Sequence, residues 1–162
     1  MEKLNVTFQK ATVDEIDFII KLYEERSKWF QQNNIDQWTK YLIHHPREEF
    51  EKIINKGEYY TLKNNGKIIG GFQLTTYSSF WNDTKTPSLY IYKIVTKVGY
   101  KNLGNLIFEF CKKIAQKENK QYLRLECLST NNKLNQIYSN HGFKLIKTGE
   151  DYYKYALREC KI

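Results

Sequence analysis

The sequence predicts an α/β fold, a mixed sheet with helices packed on it. Three observations carry that expectation. From Ser88 onward, strand-like and helix-like patterns alternate, the order that lays helices on a sheet. Two strand-like runs, Glu58 to Lys63 and Lys67 to Thr76, flank Asn64-Asn65-Gly66. Asn-Gly is a strong hairpin signal because both residues tolerate positive φ. The chain has 162 residues, 41% of them apolar and only two of them proline, enough to bury a substantial core and unlike a disordered or fibrous chain.

Taken in order, Leu4 to Ala11 alternates apolar and polar, with Leu4, Val6 and Phe8 on one face, which predicts a strand. Thr12-Val13-Asp14-Glu15 has the form of a capping box, in which Glu15 reaches back to the Thr12 amide. Ile16, Ile19, Ile20 and Tyr23 follow at helical spacing, with Phe30 near the same stripe. Residues 33–38 break the periodicity. Pro46 suits a first helical position, with Glu48 and Glu49 in the positive first turn. Phe50, Ile53 and Ile54 give that helix its apolar face, and Gly57 is a suitable C-terminal cap. After the hairpin, Ser88 to Thr96 is a strong strand. Leu106, Ile107, Phe110 and Ile114 predict the buried stripe of a helix beginning near Leu103. Tyr122 to Leu128 is a further strand. Asn131 to Asn140 is a short helix closed by Gly142, with Leu134 and Ile137 toward the core. Lys144 to Leu157 holds two more strand-like stretches around Thr148-Gly149-Glu150. The whole chain, 1–162, is read as a single domain.

No apolar run approaches the ~18 residues of a membrane helix, and Met1-Glu2-Lys3-Leu4-Asn5 lacks the apolar core of a leader. Three cysteines, odd in number and widely spaced, fit a reducing compartment, so a cytoplasmic location is expected. No metal site is expected, because Cys and His are not clustered at ligand spacing. Phosphate-loop and nucleophile-elbow motifs are absent. The net charge of +8 is lopsided: residues 1–81 hold 11 basic and 11 acidic groups, residues 82–162 hold 15 and 7. The second half therefore suits an anionic partner, whether a nucleotide cofactor, a phosphorylated substrate or nucleic acid, or it is simply a solvated lysine-rich surface.

Two stretches carry chemistry. Tyr92 to Phe110 runs a strand into a turn with Gly99 and Gly104 and then opens a helix. The unpaired amides of a helix N-terminus, with the helix dipole, bind phosphate. From Lys93 to Lys120 there are seven lysines and two glutamates. The second stretch, Asn131 to Phe143, places Asn131, Tyr138, Gly142 and Phe143 at fixed offsets.

Together their order and spacing resemble the GCN5-related N-acetyltransferase (GNAT) family. The family's Arg/Gln-x-x-Gly-x-Gly/Ala motif falls on Gly99, Asn102 and Gly104, with Gly99 in place of Arg or Gln and Asn102 in place of the first glycine. Its later Asn, Tyr, Gly-Phe pattern falls on Asn131, Tyr138, Gly142 and Phe143. The resemblance implies a small bacterial acetyltransferase with a central mixed, mostly antiparallel sheet of about six to seven strands and helices on both faces. It implies acetyl-coenzyme A as acyl donor and a small-molecule or peptide amine as acceptor. Pantetheine would pair with the backbone of Ile94, Val95 and Thr96. The pyrophosphate would rest on the amides of Gly99, Tyr100, Lys101, Asn102, Leu103, Gly104 and Asn105. Asn131 would hydrogen-bond near the pantetheine, and Tyr138 would protonate the departing thiolate. A phenol of ordinary pKa matches a thiolate of similar basicity.

The general base is open among Glu126, Tyr92, His44 and His45. Ile35-Asp36-Gln37-Trp38 looks like a stretch found in a group of small bacterial acetyltransferases. There Trp38 would wall the acceptor pocket and Asp36 would hold a cationic amine, although Trp38 equally suits a core plug. Tyr92 is a further acceptor-side candidate, and Tyr77, Phe80 and Trp81 could line a pocket or an interface. A homodimer is possible. The other readings are an acyl-coenzyme A sensor without turnover and a basic protein that binds nucleic acid, the latter disfavoured because no nucleic-acid motif is present.

Overall fold

The structure is a computed structural model and describes residues 3–35, 37 and 47–162. Asp36, Trp38, His44, His45 and Pro46, all singled out above, lie outside the described residues. The described residues form seven strands: β1 Val6–Lys10, β2 Tyr59–Asn64, β3 Lys67–Thr75, β4 Ser88–Thr96, β5 Tyr122–Leu128, β6 Lys144–Glu150 and β7 Lys154–Lys161. The described helices are α1 Ile16–Gln32, α2 Arg47–Asn55, α3 Leu103–Lys117 and α4 Asn132–Asn140, with a 3-10 turn at Val13–Glu15. The strand order is β1-β2-β3-β4-β5-β7-β6. The β4–β5 pair is parallel. The β1–β2, β2–β3, β5–β7 and β6–β7 pairs are antiparallel.

The chain divides into two compact units, and β4 passes from one to the other at Lys93. The first unit holds residues 1–73 and 93–103. Its hairpin turn forms as expected: Asn65 and Gly66 take φ of 49° and 81°, which sets Asn64 opposite Lys67. The Thr12 amide donates to the Glu15 carboxylate at 2.9 Å, as the capping pattern requires. Ile16, Ile19, Leu22 and Tyr23 of α1 pack with Phe50, Ile53 and Ile54 of α2 and with Tyr59 and Val95. Gly71 lies where a Cβ would come within 2.5 Å of the Tyr59 hydroxyl, so only glycine lets that buried ring lie flat on β3.

The second unit holds residues 74–92 and 104–162. Three expectations are corrected here. The buried residues of α3 are Leu103, Ile107, Phe108, Cys111 and Ala115, while Leu106 is exposed. The buried stripe is thus rotated toward a row containing two small residues, which let the helix approach its neighbours closely. On α4, Ile137 is exposed and Tyr138 is the buried residue. The final turn lies at Asp151–Tyr153 rather than at Thr148–Glu150, which belong to β6. Gly149 misleads because its role is spacing: it pairs with Tyr155, and a Cβ there would fall 2.4 Å from the Tyr155 hydroxyl.

Candidate active site

The first unit holds a strand end and the start of a loop. Within β4, Lys93 adopts φ of 56°, left-handed for a residue with a Cβ. The kink is held from two sides: the Tyr23 hydroxyl donates to the Lys93 carbonyl, and the Lys93 ammonium pairs with Glu49 at 3.2 Å. Tyr59 in turn shares a 2.8 Å hydrogen bond with the Tyr23 hydroxyl. Past the kink, Arg26 clamps the end of the strand. Its Nε and Nη2 both donate to the Thr96 carbonyl, at 3.0 and 2.7 Å, and Nη2 also reaches Thr96 Oγ1 at 3.1 Å. Val95 is buried, whereas Ile94 and Thr96 are half-buried.

The loop that follows turns on two left-handed residues, Gly99 at φ 95° and Asn102 at φ 63°. Asparagine is the residue after glycine that best tolerates this region. Asn102 thus takes a left-handed bend, open to glycine as well, at the position where the family motif has glycine. Leu103 is buried and starts α3, so it offers only its backbone amide. Gly99, Lys101, Asn102 and Asn105 are exposed, and Tyr100 is half-buried. A Cβ on Gly104 would meet only Phe108, at an ordinary 3.9 Å. The protein itself does not demand glycine there, which fits a position kept bare for a closely approaching group. Lys97 is paired with Glu25 at 3.8 Å.

The second unit holds Asn131, Tyr138, Glu126 and Tyr92. Asn131 caps α4, its side-chain oxygen accepting from the Leu134 amide at 3.1 Å. Tyr138, two turns on, is buried with its ring edge-on to Phe108 (5.7 Å between centroids) and Phe143 (6.1 Å). Its hydroxyl has no hydrogen-bond partner among the described residues. A buried hydroxyl without a partner costs free energy, and such a group suits a partner that arrives with a ligand. Burial, then the negative charge of Cys127 and Glu126, pushes the Tyr138 phenol above its ordinary range. The simple match between phenol and thiolate is therefore modified. The proton is firmly present at neutral pH, and its release is steeper than in water.

Glu126 lies on β5 opposite Leu157 and is half-buried. The Tyr153 hydroxyl donates to its carboxylate. Tyr92 hydrogen-bonds with Ser78, and burial pushes its phenol up to about 12, with the Ser78 contact opposing and the Glu126 charge adding. Burial likewise pushes the Cys127 thiol up to about 11, so it is not a thiolate nucleophile near neutrality. Among the described residues no cluster of His, Cys, Asp and Glu could hold a metal, and no helix is long and apolar enough to cross a membrane.

Within the second unit, the structure gathers Tyr92, Glu126 and Tyr138 into one electrostatic neighbourhood. Sequence reasoning missed Tyr153, Arg26 and Asn135. Asn135 holds the β5–α4 junction by donating to the Leu128 and Asn131 carbonyls, at 3.0 and 2.9 Å, and accepting from Arg158 at 2.9 Å. No local pattern marks these residues, since each acts on a partner distant in sequence or through a turn.

A model of the Acetyltransferase (GNAT) family matches residues 19–143. The chain belongs to that family. Its fold is that of known members. A GNAT-family acetyltransferase from Listeria monocytogenes superposes with a TM-score of 0.82 at 19% identity, covering 99% of both chains. The PaiA N-acetyltransferase of Thermoplasma acidophilum, solved in complex with coenzyme A, gives 0.77 at 16% identity, covering 98% of this chain and 100% of that one. A Streptococcus agalactiae family member gives 0.78 at 16%, covering 99% and 98%. The mostly antiparallel mixed sheet with helices on both faces, expected from the resemblance, is the architecture they share. No curated protein matches the sequence.

Proposed function

We propose that the chain, acting as one acetyltransferase domain over residues 1–162, transfers an acetyl group from acetyl-coenzyme A to a primary amine of a small molecule or peptide. Family membership supports the general activity, and the coenzyme A complex of the Thermoplasma acidophilum protein supports the donor. The backbone of Ile94, Val95 and Thr96 would pair with the pantetheine arm. The amides from Gly99 to Asn105 would receive the pyrophosphate, because the first amides of a helix are unpaired and sit at its positive end. Asn131 would steady the pantetheine near the thioester. Asp36, Trp38 and Tyr92 belong to the acceptor side.

Glu126 takes the proton of the incoming ammonium, directly or through water, and frees the nitrogen lone pair. The nitrogen bonds to the acetyl carbonyl carbon as the carbon–sulfur bond breaks, the new amide nitrogen loses its second proton to solvent, and Glu126 then releases the first to solvent as well. Tyr138 gives its proton to the departing sulfur and recovers one from solvent. A backbone amide just past the Lys93 kink steadies the carbonyl oxygen as it gains negative charge.

One observation carries this most: the buried Tyr138 hydroxyl has no hydrogen-bond partner among the described residues, on the helix whose sequence matches the family's pattern. Titration with acetyl-coenzyme A by calorimetry, followed by thiol release in the presence of amines, is the test. Saturable binding with amine-dependent thiol release is expected. Absence of binding at millimolar acetyl-coenzyme A would exclude the assignment.

A further inference from the structure

Along β5 the side chains alternate, so Arg124 and Glu126 share one face of the sheet. Their fates differ. Arg124 is buried and fully engaged: Asp83 and Glu159 each accept from it at 2.9 Å, and it donates to Tyr90 at 3.1 Å. Its guanidinium also covers the Trp81 ring at 4.5 Å. One arginine thus meets two carboxylates on this face, before Glu126 is counted.

Glu126 lies at the edge of an aromatic cluster. Tyr153 donates to it, and its charge reaches Tyr92. Phe80 stands 6.4 Å from the Tyr153 ring and 5.3 Å from the Tyr155 ring, and Tyr153 and Tyr155 are 6.4 Å apart. Phe80, Tyr92 and Tyr155 pack on Trp81, Tyr90 and Leu157 beneath. Phe80, Tyr92, Tyr153, Tyr155 and Glu126 are all half-buried rather than sealed in the core.

Aromatic faces attract a cation, and a carboxylate among them attracts it further. The same arrangement repels a second carboxylate. We propose that this box selects the acceptor: a primary ammonium on an apolar or aromatic arm, with no carboxylate next to the nitrogen. The assignment rests on the acetyltransferase reading above and names the acceptor class for that site. At an effective dielectric constant of about 20, a ligand carboxylate about 5 Å from Glu126 is disfavoured on the order of 10²-fold. α-Amino acids and compact acidic amines are therefore poor acceptors.

2-Phenylethylamine, phenylalanine and phenylalaninamide test this, because they share ring and amine and differ at the carboxylate. The expected order of kcat/KM is 2-phenylethylamine first, phenylalaninamide next, and phenylalanine lower than 2-phenylethylamine by about 10²-fold. In Glu126→Gln the residual rates fall for all three, and the ratio between 2-phenylethylamine and phenylalanine narrows to within about tenfold. Calorimetric binding of 2-phenylethylamine to the protein, with and without coenzyme A, gives a readout independent of turnover, and it weakens in Glu126→Gln. If phenylalanine is acetylated within threefold of 2-phenylethylamine, the acceptor class is overturned while the transferase assignment stands. If acetyl-coenzyme A does not bind but 2-phenylethylamine does in a Glu126-dependent manner, the box stands and the transferase assignment falls. Failure of both ligands to bind overturns both.

Discussion

Tyr138→Phe separates structure from chemistry because the two effects have opposite signs. The ring is held edge-on by Phe108 and Phe143 at 5.7 and 6.1 Å, and phenylalanine keeps those contacts. The hydroxyl is buried without a partner among the described residues. An unsatisfied buried polar group costs about 1–3 kcal/mol. Its removal should leave stability unchanged or raise it by up to about 2 kcal/mol. Turnover should move the other way, down by roughly 10²-fold as for loss of a general acid, which is about 2.7 kcal/mol on the barrier. The assays are urea unfolding for stability and thiol release at saturating acetyl-coenzyme A for kcat. A variant that loses more than about 1 kcal/mol of stability while keeping wild-type kcat would show that the hydroxyl holds the fold and takes no part in the reaction.

Other expectations follow from single contacts. Gly71→Ala drives a Cβ to 2.5 Å from the Tyr59 hydroxyl, in a fully buried ring; overpacking of this kind costs about 1–3 kcal/mol, read as a lowered urea midpoint, and an unshifted midpoint would mean that Tyr59 moves freely. Arg26→Met removes charged donors to the Thr96 carbonyl, each worth about 1.5–3 kcal/mol; KM for acetyl-coenzyme A should rise tenfold or more with kcat little changed, and a fall in kcat alone would contradict a role in shaping the strand end. Alkaline pH should unfold the protein. Burial raises Tyr59, Tyr138 and Tyr153 above the ordinary value of 10 and pushes Tyr92 up to about 12. Above pH 10 the unfolded chain releases protons that the folded chain keeps, so stability is full below pH 10 and falls as pH rises toward 12. Urea midpoints that stay flat from pH 9 to 12 would refute that linkage.

Elements with a strong local signature were legible in the sequence. β4 and β5 have the expected bounds because their apolar runs end at polar turns. The β2–β3 turn was readable from Asn65-Gly66 alone. Tyr138 and the helix-opening loop were singled out only through the family resemblance, because a buried tyrosine and a strand–turn–helix are by themselves ordinary structural features. Helix faces were less readable: on α3, helical spacing alone permits a stripe through Leu106 or one through Cys111 and Ala115, and tertiary packing decides. Gly149 carries the signature of a turn and serves as a gap for Tyr155. Tyr153 and Arg26 left no trace, because Tyr153 meets Glu126 across 27 residues and Arg26 meets Thr96 across 70. Such pairings exist only once the sheet has formed.

The asparagine at position 102 bears on how such chains drift. Because it takes up the left-handed bend at modest cost, a lineage can exchange glycine for asparagine there without rebuilding the loop. The exchange also narrows the conformations open to the unfolded chain, so the bend is better specified than a glycine would make it. A pattern search keyed to glycine letters would pass over chains that share this backbone path, whereas one keyed to residues able to bend left would find them.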